Sequence, residues 1–323
     1  MAIFNRSRLS QPTLKLDVDG LRRGYYSDKY FENVVTVLQA ARAAGYRFAG
    51  HSPRPMPGDV SGLAVGDLVV EAQVFNRRSP SALVVGIDST LTMLRHATGY
   101  FERDQFIETW HDLKVEAVED GAFTHYDGDT EDVQPILKIH GRYRDFALLE
   151  TPILGVLTRA SRIATNVYNV LVAAQGKPVL FFPARFDLSE VQSLDGYAYW
   201  VAVGRYNQDA SKNVVPAVST DAQAAWWGGR GGGTVPHALI AAFLTDTAEA
   251  MVAFAEYVPV HVPRVALVDF ENDSVGATQA VLAAYWPRYL SALRTGDRDA
   301  KKRWTLFGVR LDTGGNMRDI SLK

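Results

Sequence analysis

The sequence predicts an α/β protein in two parts, an α+β portion over residues 1–176 and a barrel-like or doubly wound portion over 177–323. Two observations carry this. Before Gly176, short β-patterned segments mix with long helical ones in no regular alternation. After Lys177, five short apolar segments each end in a polar or charged cluster, with helical stretches between several of them. Strands that deliver functional groups at their C-terminal ends occur in (β/α) barrels and in doubly wound sheets alike, and periodicity does not separate the two.

The elements follow in order. Met1 to about Leu21 is polar and reads as irregular or extended. A helix opens after Ser27 or Asp28, runs through Val34, Val35, Leu38 and Ala41, and ends at Gly45. Residues 51–63, rich in proline and glycine, form a loop. From Asp67 to Phe75 the alternation of Leu68, Val70, Ala72 and Val74 predicts a strand. Ala82–His96 reads as strand, turn and helix, and short β segments occupy Leu113–Tyr143. A helical stretch spans Phe146–Gln175 with a break near Pro152; Arg159 and Arg162 read as its solvated face.

In the second part the five segments are Val179–Phe182 before Arg185, Val214–Val218 before Ser219, Thr220 and Asp221, and Gly233–Thr234 before His237. The last two are Val265–Val268 before Asp269, and Leu306–Leu311 before Asp312. Residues 205–213 read as a polar surface loop, and a helix is predicted over Ala238–Val258. Thr234 is placed as its N-cap and Pro236 in its first turn, which puts His237 where free N–H groups favour an anion.

Composition narrows the chemistry. The chain has 47% hydrophobic and 22% charged residues and a net charge of -2, so it carries no electrostatic footprint for nucleic acid or an anionic membrane. It has no cysteine, which excludes disulfides, thiolate nucleophiles and Cys-ligated metals. No apolar run approaches membrane-spanning length and no signal-peptide core is present, so a cytoplasmic location is expected. A Ser-His-Asp hydrolase lacks its G-x-S-x-G elbow, and His237 has no helical histidine partner for a zinc site.

What remains is a mixed set: Arg185, Ser219, Thr220, Asp221, His237, Asp269, Asp273, Arg310 and Asp312. Guanidinium groups bind carboxylate or phosphate bidentately. Carboxylates accept ribose hydroxyls, or hold Mg²⁺ through water beside a pyrophosphate. Each residue also has a structural reading: 269–273 as a solvated turn, Arg310 with Asp312 as a salt bridge.

Set side by side, these segments resemble a family. GVRLDTGG (308–315) is similar to the G-V-R-x-D-S-G-D motif of nicotinate phosphoribosyltransferases, and GTVPHALI (233–240) to their G-T-x-x-H segment. VALVDFENDSVG (265–276) resembles their L-V-D-T-Y-D-T segment, FFPARF (181–186) their strand ending in the substrate arginine, and Asp28-x-Tyr30 their N-terminal D-x-Y. The resemblance runs in family order over nearly the whole chain. It implies an N-terminal α+β domain on an irregular (β/α) barrel, and a homodimer with shared sites. The implied reaction is transfer of phosphoribose from phosphoribosyl pyrophosphate to nicotinate with Mg²⁺, driven by ATP through a phosphohistidine, in NAD synthesis.

Carried over residue by residue, the resemblance makes His237 the phosphate acceptor and has Arg310 and Asp312 position the ribose. Asp269 supports the phosphoribosyl and Mg²⁺ region, with Asp273, Gly233, Thr234, Thr313 and Gly314 around the ligand. Tyr30, from a partner copy, stacks on the pyridine, Arg185 holds its carboxylate, and Ser219, Thr220 and Asp221 line its pocket. Three features depart from the pattern. Gly315 stands where the family has a final aspartate. Asp221 lies where nicotinamide-using relatives have Asp and many nicotinate enzymes Ser-Asn, which leaves nicotinamide open. The chain also ends before the family's glycine-rich loops for the 5′-phosphate, so a fragment, a short form or a non-catalytic nucleotide-binding or assembly relative stays open as well.

Overall fold

The structure is a computed structural model and describes residues 8–56, 58–314 and 318–320. Gly315, where the family's last aspartate falls, lies outside the described residues. The chain divides into two compact units, Met1–Gly231 and Gly232–Lys323. The strands that follow residue 177 are thus shared between them, two in each.

In the first unit, short helices at Gln11–Leu14 and Val18–Arg22 replace the irregular start that was expected. Helix α1 (Lys29–Ala43) follows, after which Gly45 turns at φ 62°. Strand β1 (Val69–Phe75) turns alternate residues inward, as the sequence predicts. β2 (Ser81–Leu83) leads to helix α2 (Ile87–Ala97), and β3 (Gly99–Glu102) pairs with β4 (Gln105–Glu108). β5 (Lys114–Ala117), β6 (Phe123–His125) and β7 (Pro135–Arg142) complete the α+β part. β7 lies between β1 and β5 in an antiparallel sheet, with Val69 opposite Arg142 and Lys114 opposite His140.

Helix α3 (Glu150–Ala174) is the spine of this unit. Pro152 does not break it: the proline sits in the first turn, where its missing N–H has no helical partner to lose. Ile153, Leu157, Ala160, Ala164, Val167 and Leu171 recur every three or four residues and are all buried. The first two join the core under β7 (Ile136, Leu137, Ile139), and the rest join a second core with Ala198, Val201 and Ala202. Where α3 meets β2 it supplies hydroxyls that the strand lacks as ladder partners. Leu83 N donates to Thr165 Oγ1 (2.9 Å) and Val85 N to Ser161 Oγ (3.1 Å). The buried Asp120 accepts N–H bonds from Gly86, Ile87 and Asp88 and the Tyr197 hydroxyl. It thereby caps α2 from a distance, and burial raises its pKa despite these bonds.

The same unit then carries β8 (Leu180–Phe181), helix α4 (Gln192–Ala210) and β9 (Ala217–Val218), with β8 parallel to β9. Residues 205–210, expected in a loop, are the last turns of α4. Arg205 Nε bonds Asp209 one turn on (2.8 Å), so the polar sequence is a solvated helix end.

The second unit holds α5 (His237–Ala242), α6 (Thr247–Tyr257), β10 (Arg264–Leu267), α7 (Ser274–Thr295), a short helix Arg298–Arg303, and β11 (Leu306–Arg310). The single helix expected over 238–258 is two. Leu244 and Thr245 take left-handed backbone (φ 52° and 72°), and Asp246 restarts the chain by accepting from Glu249 N (2.9 Å). β10 and β11 are parallel neighbours, Leu267 opposite Arg310, with α7 as the crossover. Ile240, Met251, Phe254, Leu267, Val281 and Tyr285 form the core between helices and strands.

The buried Arg264 closes one end. Its guanidinium donates to the carbonyls of Ala255 and Val258 at the C-terminal end of α6 and to those of Pro259 and Val262 in the loop after it. Of the five expected strands, four form. Gly233–Thr234 is irregular chain. Among the described residues the parallel pairs β8–β9 and β10–β11 are not joined into a closed barrel.

Candidate active site

Parallel pairing of β10 and β11 brings their C-terminal ends side by side, and each runs directly into an acidic residue. Asp269 follows β10 and is buried, its side chain 6% exposed. One oxygen, Oδ2, accepts the backbone N–H of Asp312 (2.5 Å) and of Thr313 (2.6 Å). The other, Oδ1, lies 3.2 Å from His237 Nε2. Burial pushes the Asp269 carboxyl up. The amides of Asp312 and Thr313, the Thr313 hydroxyl and His237 outweigh it, and the pKa falls to about 2. Asp269 is therefore a fixed anion tying the two strand ends to the histidine.

His237 begins α5 and its N-cap is Pro236, not Thr234. Pro236 takes the extended backbone of a cap (ψ 158°), which moves the helix start two residues past the threonine. Thr234 and the exposed Gly233 belong to the segment that leads in. The imidazole rests on Phe270 (ring centroids 5.8 Å apart), and its Nδ1 lies 3.9 Å from Asp312 Oδ2. That same oxygen accepts from Arg310 Nη2 (3.0 Å), while Arg310 Nε is buried without a partner among the described residues. One side of this cluster thus offers an imidazole nitrogen, a carboxylate and guanidinium donors, over a carboxylate that is fully engaged from below.

Asp273 does not share this position. It is the N-cap of α7, accepting from Gly276 N (2.9 Å), after a left-handed turn at Asn272 (φ 56°). Thr313 joins the cluster through its amide, and Gly314 follows it as exposed chain.

In the first unit, Arg185 and the Ser219–Asp221 run follow the ends of the parallel neighbours β8 and β9. Arg185 is exposed and has no ion pair among the described residues. Thr220 caps the short helix Asp221–Ala224 in a reciprocal arrangement with Gln223, so its hydroxyl is in use. Asp221 Oδ1 accepts from Gly231 N (2.8 Å). Gly231 packs so closely on this strand end that a methyl group there would lie 2.6 Å from Ser219 O and 2.7 Å from Thr220 N. Tyr30 sits in the first turn of α1, 60% exposed, with its hydroxyl on Asp28 (2.9 Å).

Sequence reading missed three contributors. Phe270 was legible as the residue after Asp269, and Asp246 as the start of a D-x-x-E capping pattern. Arg264 had no signal, because an arginine at the head of an apolar strand looks solvated until its helix-end partners are known.

No protein-family model matches the chain, and no curated protein matches it. Among solved structures it is similar to nicotinate-nucleotide pyrophosphorylase from Pyrococcus furiosus, with 25% identity and a TM-score of 0.61, over 93% of this chain and 60% of that one. It is also similar to human nicotinic acid phosphoribosyltransferase, with 17% identity and a TM-score of 0.52, over 90% of this chain and 61% of that one. The second likeness is one of fold alone. The chain spans about three-fifths of the length of each.

Proposed function

We propose that the chain carries a phosphoribosyl-transfer site of nicotinate nucleotide metabolism. The single observation that carries the reading is the cluster of His237, Asp269, Arg310 and Asp312 at adjacent parallel strand ends. The fold it shares with a nicotinate-nucleotide pyrophosphorylase supports it. In the reaction the pyridine nitrogen attacks C1 of phosphoribosyl pyrophosphate. The C1–O bond breaks, and pyrophosphate leaves with the electron pair. The ring nitrogen is already a nucleophile, so no general base is needed, and positioning with charge neutralisation supplies the acceleration.

In this reading the part-exposed guanidinium end of Arg310 faces the phosphoribosyl group, and Asp312 accepts from ribose hydroxyls. Asp269 acts through its neighbours, keeping Asp312, Thr313 and the imidazole in register. Nicotinate is the proposed base. ATP coupling would use His237: with Nε2 engaged by the Asp269 carboxylate, Nδ1 is the ring atom left to take a phosphoryl group. The donor set fits Mg²⁺ held by pyrophosphate and water with Asp312 nearby. Among the described residues no three carboxylates or histidines are grouped to ligate a metal themselves. Mg²⁺ bound there would neutralise charge on the departing pyrophosphate.

The test is product formation by the intact chain from phosphoribosyl pyrophosphate, Mg²⁺ and nicotinate, nicotinamide or quinolinate, with and without ATP. Nicotinate mononucleotide is expected, with an ATP stimulation that disappears in His237→Ala. Turnover of nicotinamide or quinolinate alone would replace the base, and no nucleotide from any of them would overturn the reading.

A further inference from the structure

A second concentration of positive charge lies in the first unit and includes no residue of the histidine cluster. Two cavities of about 640 and 570 Å³ run along one face of α3 and share Leu154, Thr158 and Arg162, so they form one groove. The spacing of four residues keeps those three side chains on the same helix face. Gly155, between them, would have open space around an added methyl, so the absence of a side chain there widens the groove. The opposite wall is the end of β1 and the chain after it, Phe75 to Arg78. Buried Ile136 and Leu157 form the floor.

The charges in this groove are unbalanced. Arg159 is neutralised, donating from Nε and Nη2 to the buried Asp195 (2.9 Å each) and pairing with Asp187 (3.0 Å). Asp187 is the one carboxylate lining either cavity, and it is thereby taken. Arg78 meets only a neutral amide, Asn166 Oδ1 (2.5 Å). Arg77 lies over the Phe75 ring (5.3 Å), and Arg162 is exposed; neither has a carboxylate partner among the described residues. In a chain with a net charge of -2, three guanidinium groups around one apolar-floored groove make a local anion trap. The volume lies in the range of small-ligand sites.

We infer that this groove binds a nucleoside phosphate, its phosphate held by Arg78 and Arg162 and its nucleoside lying on Phe75 and the floor. The site is independent of the phosphoribosyl-transfer reading. The experiment is calorimetric titration of the full chain with AMP, adenosine and inorganic phosphate, in wild type and in His237→Ala. AMP should bind saturably in both, and more tightly than either fragment. Arg162→Gln removes charge, and Gly155→Leu fills space with the charge kept. Each should weaken AMP binding about tenfold or more while circular dichroism stays unchanged. Loss of AMP binding in His237→Ala, indifference to both groove variants, or no saturable binding would overturn the site. Phosphate binding as tightly as AMP would overturn the nucleoside assignment.

Discussion

Asp269 holds Asp312 by its backbone and not by its side chain: the Asp312 amide nitrogen lies 2.5 Å from Asp269 Oδ2. The Asp312 carboxylate is left to face Arg310 and the imidazole. A buried anion at the end of one strand thus fixes the end of its parallel neighbour, and with it the distance between the histidine and the arginine–aspartate pair. Such a clamp links the stability of the second unit to the geometry of the site.

Its protonation sets a pH dependence. The folded pKa of Asp269, about 2, lies below its ordinary value of 3.8. The stabilisation is therefore fully present above the unfolded pKa and is lost as pH falls through the folded one. Asp269→Asn should be less stable near neutral pH by on the order of 2 kcal/mol. In denaturant unfolding the gap from wild type should hold from pH 7 to about 5 and narrow as pH falls from about 4 toward about 2. A gap that stays constant over that lower range would contradict the clamp.

Arg310→Ala should raise the KM for phosphoribosyl pyrophosphate by about ten- to a hundredfold, since it removes charge-assisted bonds to an anion. The KM for the base should move little. Arg310→Lys should recover part of the loss, as a point charge without the planar fork. Equal effects on both substrates would remove Arg310 from the ribose side.

Arg264→Met should destabilise the chain by about 3 kcal/mol, since the carbonyls of Val258 and Val262 lose the guanidinium donor and those of Ala255 and Pro259 lose one of two donors. Arg264→Lys should fall between, because one ammonium cannot span the same four acceptors. Thermal unfolding of the three proteins reads this directly, and an unchanged midpoint in Arg264→Met would refute the internal cap.

Gly231→Ala should cost about 1–3 kcal/mol, since the added methyl meets backbone atoms of Ser219 and Thr220 that have no rotamer to relax into. Gly233→Ala, with open space around the added methyl, serves as the control. Equal stability of the two variants would show that the strand end yields.

Much of the site was legible because it follows from strand periodicity. An apolar run that ends in a charged residue places that residue at a strand end, which is how Asp269, Arg310 and Asp312 were found. The helix boundaries around them were less so. The break at Leu244–Thr245 carries no glycine or proline, and Pro152, a breaker by composition, is harmless in a first turn. At Leu244–Thr245 local propensity yields to the packing of Ile240, Met251 and Phe254, whereas at Pro152 position within the helix removes the conflict.

The amino-acid order alone determined the residue types that carry charge at each strand end, and the lack of any thiol chemistry. Only the tertiary structure decided what each carboxylate does. Asp273 caps a helix, Asp221 fastens a glycine loop and Asp269 clamps a neighbouring strand, which leaves Asp312 facing outward beside the imidazole. The reason is physical. A carboxylate's role depends on which N–H groups lie within about 3 Å of it; Asp273 finds its donor three residues on, in its own helix, but those of Asp221 and Asp269 come from residues that chain order does not place beside them.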